Sequence, residues 1–383
     1  MNKFTFLAAL SLTAITVSSC GTKQEARPTL MAGMDPAKFE TTVNGKSTAL
    51  YSIRSSSGME AAITNYGGRI VALLVPGADG RMRDVELGFD SIEAYLPENN
   101  PTDFGATIGR YANRIDHGRL VIDGDTIQLQ VNNFGHTLHG GPTGWQYQVF
   151  DAEQPNDSTL VLRIESPDGD NGFPGRVAAS VTYTAMPGNV LDVKYSAESD
   201  APTVINMTNH SYFNLSGDPS KPVTGHTLLI NGSNYTPVDS TFMTTGEIMP
   251  IAGTPMDFLA AKMIGQDIDM VDFEQIKNGN GYDHNWVLDT EGDINRLAVT
   301  LYSPESGIGM NIFTTEPGVQ VYSGNFLDGT VTGKNGTVYN QRAGIALETQ
   351  HYPDSPNKPL WPSVILRPGT PYTSHTIMQF FTK

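Results

Sequence analysis

Apolar side chains recur at every second position along run after run of this chain, the period of a β-strand and not of a helix. In 158–166, STLVLRIES, the residues Leu160, Leu162 and Ile164 alternate with Thr159, Val161, Arg163 and Glu165. In 179–186 Val181, Tyr183 and Ala185 alternate with Ser180, Thr182 and Thr184, and in 191–199 Val193 and Tyr195 stand between polar partners. Strands of this kind bury one face and wet the other, as antiparallel sheets do. Stretches rich in Gly, Pro, Asn and Asp separate them, among them PDGDNGFPG at 167–175 and MPGN at 186–189. Those residue types supply tight turns. Helical spacing is confined to 90–96 and 257–268. No internal repeat and no Pro/Ser-rich linker interrupts the pattern. The expected fold is all-β: a single large antiparallel β-sandwich with few short helices, spanning 39–383.

The N-terminus has another character. Lys3 precedes an apolar stretch, 4–17, that is too short and too rich in Ser and Thr to span a bilayer comfortably. It ends in VSSCG, where Cys20 is the only cysteine of the chain. Small residues before a Cys at this distance from a basic start resemble a bacterial lipoprotein signal, whose Cys is lipidated and becomes the new N-terminus. The expected organisation is a signal at 1–20, a flexible tether at 21–38 and the sandwich domain. One lipidated end would tether an otherwise soluble domain. The expected location is therefore the bacterial cell envelope, lipid-anchored at Cys20, facing the periplasm or on the outer membrane. Forty acidic residues against 24 basic ones give a net charge of −16, which argues against nucleic acid and against an electrostatically bound anionic membrane. A monomer is expected.

The sequence lacks HExxH, paired CxxC, a P-loop, GxGxxG after a strand, and GxSxG. It carries dense polar patches instead. Asn113 and Arg114 close the run FGATIGRYANRI, His139 precedes two glycines in TLHGG, and Asp283 opens the alternation of DHNWVL. Gln320 follows a Pro-Gly turn, and Glu348 shares a strand face with Gln350. The segment 203–215, TVINMTNHSYFNL, places Asn206, Thr208, His210, Tyr212 and Asn214 on one face of a strand. Its other face carries Ile205, Met207, Phe213 and Leu215. That polar face reads as the lining of a pocket. Singly, each residue has a plain structural reading: a solvent-facing Glu, a structural His, a surface ion pair at Arg114. Jointly, one carboxylate, two imidazoles and Asn, Arg, Asp and Gln suit a neutral polyhydroxylated ligand, whose hydroxyls both donate and accept.

The segments NYGGRI (65–70), DVELGFDSIEAY (84–95), GATIGRYANRI (105–115), LHGG (138–141), TNHSYFNLSG (208–217), GYDHNWVL (281–288), GVQVYSGNFLDG (318–329) and ALETQHYPDSPN (346–357) occur in this order. Together they resemble the aldose 1-epimerases, the galactose mutarotase family, from about residue 39 to 382. Trp145, where a Phe is usual after LHGG, and Arg176, after the PDG turn, depart from that pattern. The resemblance implies a β-supersandwich with an open sugar cleft and interconversion of the α and β anomers of free aldoses such as galactose and glucose. Carried over by position, it implies Glu348 as general base, His210 as general acid and His139 as a second imidazole near the ring oxygen. Asn113, Arg114, Asp283 and Gln320 would hold sugar hydroxyls. Asp283 is a candidate for the carboxylate that keeps His210 protonated. No cofactor is required, although the Asp-rich turn 167–172 offers oxygen ligands for Ca2+. The alternatives are an exported sugar-binding lipoprotein without turnover, a hexose-6-phosphate 1-epimerase, and a glycoside hydrolase, which ordinarily needs two carboxylates.

Overall fold

The computed structural model describes Met1, residues 34–100 and residues 102–383. The expected signal, Cys20 and most of the tether lie outside the described residues. Residues ahead of the expected boundary at 39 already pack: Met34 is buried, as is Phe39, and Asp35 caps the 3-10 turn Pro36–Phe39 by accepting from the Ala37 amide.

The alternating runs form one side of a nine-stranded antiparallel sheet. Asp151–Asn156, Thr159–Ser166, Val177–Met186 and Val190–Ser199 lie side by side as a meander. Tyr372–Thr382, Ile308–Thr314, Val299–Tyr302, Thr227–Ile230 and Lys262–Met263 continue the sheet. A six-stranded sheet orders Tyr212–Phe213, Ile345–Gln350, Gly318–Tyr322, Asp283–Val287, Asn234–Thr236 and Met249–Pro250. A four-stranded sheet holds Leu50–Arg54, Glu60–Thr64, Arg69–Pro76 and Met82–Asp84. One buried cluster joins all three: Leu162, Val181 and Val193 from the first, Trp286, Val319 and Leu347 from the second, Ile53 and Leu73 from the third. Burial of each such side chain is worth about 1.5–3 kcal/mol, so this shared core holds the sheets face to face. The chain is thus the expected all-β sandwich.

The helical expectations fare less well. Residues 90–96 yield only the 3-10 turn Glu93–Tyr95. Over 257–268 there is no α-helix, only Lys262–Met263 and the 3-10 turn Ile264–Gln266. Sheet and loop partners claim its backbone instead: the Ile230 amide donates to the Phe258 carbonyl and the Ile264 amide to the His226 carbonyl. The one α-helix among the described residues, Glu274–Gly279, has no side-chain N-cap and offers a single large apolar residue, too little to signal itself in sequence.

The Asp-rich turn at 167–172 is organised by a guanidinium. Arg110 Nη1 donates to the carbonyls of Pro174 and Gly175 at 2.9 Å each, and Nη2 to Ser166 Oγ at 2.6 Å and the Pro167 carbonyl at 3.0 Å. The Asp carboxylates of the turn bond locally: Asp168 Oδ1 accepts the Gly175 amide at 2.6 Å, and Asp170 accepts from the Ser166 hydroxyl and the Asn171 side-chain amide.

Candidate active site

Three neighbouring strands of the six-stranded sheet supply the carboxylates and amides of the site. The register sets Gln320 opposite both Glu348 and Asn285, and Asp283 opposite Tyr322. Alternation sends Leu347, Val319, Val321 and Trp286 into the core, so Glu348, Gln320, Asp283 and Asn285 share the other face. Gln320 Nε2 donates to Asp283 Oδ1 at 2.7 Å. On this face Glu348 Oε2, Gln320 Oε1, Asn285 Oδ1 and both amide atoms of Gln350 are buried without a hydrogen-bond partner. Buried polar atoms in native proteins are nearly always paired, so this concentration marks a place built for a polar ligand.

His210 enters from the strand Thr208–His210, which pairs with Ala106–Ile108. Its Nε2 lies 3.5 Å from Glu348 Oε1, and its ring stacks on Tyr212 at 5.1 Å with a 26° tilt. Burial depresses the His210 pKa to about 4. Burial also raises Glu348 well above the usual carboxylate range, reinforced by the charges of Asp283 and Asp103 and opposed by Arg114. The carboxylate nearest His210 is therefore Glu348; Asp283, the sequence candidate for that place, is turned to Gln320. Burial pushes Asp283 up as well, against Arg114 and the Gln320 bond.

His139 has φ +50°, and its Nδ1 accepts the Asn113 backbone N–H at 3.1 Å. That bond fixes the proton of the neutral ring on Nε2. Burial, with His210 and Arg114 adding to it, holds His139 neutral, well below the usual histidine range. The two imidazoles meet in a T-shaped arrangement, 5.2 Å between centroids. The two glycines after it serve packing, not ligand approach: a Cβ on Gly140 would stand 2.2 Å from the Gly109 carbonyl oxygen. Asn113 Oδ1 accepts the Arg114 amide at 2.8 Å. The Arg114 guanidinium donates to Asn133 Oδ1 and lies 5.2 Å from the centroid of Phe242. Burial lowers its pKa, and the charges of Asp283, Glu348 and Asp239 oppose the shift. All seven expected site residues thus belong to one cluster of contacts and fields.

The polar face of 203–215 does not line the cleft as a whole. The segment breaks into Thr203–Val204, Thr208–His210 and Tyr212–Phe213. Asn206 Nδ2 donates to the carbonyls of Ala112 and His351, Thr208 Oγ1 to that of Thr349, and Asn214 Nδ2 to those of Lys221 and Ala343. These side chains tie backbone together, leaving His210 and Tyr212 to the site. Asp103 was missed. One of its carboxylate oxygens and one ring nitrogen each of His139 and His210 lie within 4.8 Å of one another. Its only signal is an isolated Asp ahead of FGATIG, at the head of the strand that pairs with His210. Two histidines and a carboxylate suit Zn2+ or Fe2+ by type, but His139 Nε2 carries its proton and is no ligand in that state. A second trio, Asp116, His117 and His136, is also committed: His136 Nδ1 accepts the His117 amide, and Nε2 meets Thr241 Oγ1 at 3.0 Å.

Fold and site together define a β-supersandwich protein with a buried carboxylate and imidazole set among unpartnered amide groups. The chain belongs to the aldose 1-epimerase family, whose family model, Aldose 1-epimerase, matches residues 49–379. It is 39% identical to the galactose mutarotase of Homo sapiens over 350 residues, 91% of this chain and 99% of the human protein. It is 37% identical to the aldose 1-epimerase of Escherichia coli K12 over 342 residues, 89% of this chain and 97% of that protein. Among solved structures, the aldose epimerase homologue of C. elegans superposes with a TM-score of 0.78 at 30% identity, covering 88% of this chain and 99% of its own. The galactose 1-epimerase of Lactobacillus acidophilus does so with 0.78 at 28%, covering 89% and 97%.

Proposed function

We propose that the chain interconverts the α and β anomers of free aldoses such as galactose and glucose, with Glu348 and His210 moving the protons. The observation that carries this reading is a buried carboxylate and imidazole 3.5 Å apart within a face of unpartnered amide groups. Family membership supports the isomerase activity itself. In the reaction Glu348 takes the proton of the anomeric hydroxyl, and His210 delivers one to the ring oxygen. The bond from C1 to the ring oxygen breaks, giving the open aldehyde; rotation about C1–C2 offers its other face, and both transfers reverse.

Glu348 and His210 share one dissociable proton. In the empty site burial favours the uncharged arrangement, a carboxylic acid beside a neutral imidazole. Moving that proton across the pair yields carboxylate and imidazolium without a change in total charge. Sugar hydroxyls that hydrogen-bond both charged groups favour the reactive arrangement. Such acid–base catalysis contributes about 10²–10⁴-fold per placed group. His139 Nε2–H, Asn113, Arg114, Asp283 and Gln320 hold hydroxyls. The steps use no metal or cofactor. A hexose 6-phosphate is disfavoured because the proposed ligands include a single cation, Arg114, on which the charges of Asp283, Glu348 and Asp239 already act.

We further propose that the domain is exported and anchored to the bacterial envelope through a lipid on Cys20, and acts as a monomer. Adding protein to freshly dissolved α-galactose and following the anomeric protons by NMR tests the activity: equilibration should be faster in proportion to protein, and binding without acceleration would leave only a sugar-binding lipoprotein. Cys20→Ala should release a soluble exported protein, and unchanged membrane association would overturn the anchor.

A further inference from the structure

We infer that Asp103 is a substrate ligand, holding the C6 hydroxyl of the aldose between itself and the two imidazoles. The inference rests on the proposed mutarotation and adds to it a residue and a substrate feature. Asp103 is rigidly presented. Its backbone carbonyl accepts the Ala106 amide at 3.0 Å, and Arg69 Nη1 donates to the carbonyls on either side, Thr102 at 3.1 Å and Phe104 at 3.0 Å. Its Oδ1 is buried without a partner, as is Nδ1 of His210.

One carboxylate oxygen of Asp103 and one ring nitrogen of each histidine lie within 4.8 Å of one another. The centre of a triangle with sides up to that length is at most about 2.8 Å from each corner, within the reach of a hydrogen bond to oxygen. Its occupant must both give and accept. His139 presents an Nε2–H, while Asp103 presents a carboxylate, ionised above about 6, where burial raises it and Arg69 opposes. A ring oxygen only accepts, and a phosphate or carboxylate oxygen would face a like charge. A hydroxyl meets both demands. With O1 at Glu348 and the ring oxygen at His210, the other branch from the ring oxygen runs through C5 to C6. The hydroxyl on C6 is the one within reach of a group beside His210.

The test measures anomer exchange of galactose and 6-deoxygalactose by the wild-type protein, Asp103→Ala and Asp103→Asn. The wild type should favour galactose in kcat/KM by about 10-fold or more, since a site built for a hydroxyl rejects an analogue lacking it. Asp103→Ala should lower kcat/KM for galactose by about 10-fold, mostly through KM, and change that for 6-deoxygalactose less than twofold. Asp103→Asn, which keeps the shape, should fall between and carries the comparison if the alanine variant does not fold. Equal losses for both sugars, or none, would overturn the assignment. Should the wild type exchange neither sugar, the proposed activity fails separately. Titration of the same two sugars then decides: selective weakening of galactose binding upholds Asp103 as the C6 ligand, and parallel weakening removes it.

Discussion

The two faces of the strand Ile345–Gln350 obey different rules. Toward the core, Leu347 joins the main apolar cluster, and Thr349 Oγ1 meets Thr376 Oγ1 at 2.6 Å, which in turn meets Thr314 Oγ1 at 3.1 Å. Toward the cleft, one oxygen of Glu348 and both amide atoms of Gln350 are buried and unpaired. Each such atom costs about 1–3 kcal/mol. The core face is complete in the protein alone. In the proposed reading the cleft face is completed by sugar hydroxyls, and stability is given up where the chemistry is placed.

Breaking the cleft face should have the largest effect. Glu348→Gln keeps shape and most hydrogen bonding but removes the base, and turnover should fall by roughly 10²-fold or more with sugar binding largely spared. His210→Asn should do the same from the acid side. Because the two residues act in one cycle, the double variant should be little worse than the worse single one. Saturation-transfer NMR measures the exchange and titration the affinity. Near-wild-type exchange in a folded Glu348→Gln would sink the mechanism, and affinity lost in step with rate would make Glu348 a ligand only.

The neighbouring core position should give the reverse pattern. Leu347→Ala leaves a cavity in the main apolar cluster beside its cross-strand partner Val321 and should cost about 2–5 kcal/mol in urea unfolding. Exchange per folded molecule should stay within a few-fold of the wild type. If turnover collapsed while stability held, the two faces would not be separable.

The difference between the faces also explains what was legible in the sequence. Alternation exposed the long strands because the core reads apolar character directly, as in Val177–Met186 and Val190–Ser199. It could not separate cleft ligands from structural polar groups. Asn206 and Asn214, which bridge backbone segments, are chemically the same as an amide that holds a sugar. The roles of Glu348, His210 and His139 came from family resemblance, because strands distant in sequence bring them together. Asp103 had neither spacing nor resemblance to announce it. The helix expected over 257–268 failed because tertiary partners took its backbone.

The smallest expected effect contrasts the signs of two buried titrations. His284 lies on the core face of Asp283–Val287, where burial lowers its pKa to about 3. Its unfolded form takes a proton near 6.5 while the folded ring stays neutral, so stability is full above about 6.5 and is lost as pH falls toward about 3. Glu348, on the cleft face, is shifted the other way. The unfolded carboxyl ionises near 4.5 while the folded one keeps its proton, so its contribution is full below about 4.5 and is lost as pH rises toward the folded pKa. Urea unfolding at pH 7.5 and pH 5.5 separates them. One unit below 6.5 a ring held neutral costs about 1.4 kcal/mol, so the stability gap between wild type and His284→Gln should shift by that amount in favour of the variant at pH 5.5. Glu348→Gln should instead gain on the wild type toward pH 7.5. If both variants shifted in the same direction with pH, His284 and Glu348 would not be held in opposite senses, and the contrast between the faces would fail at its charged residues.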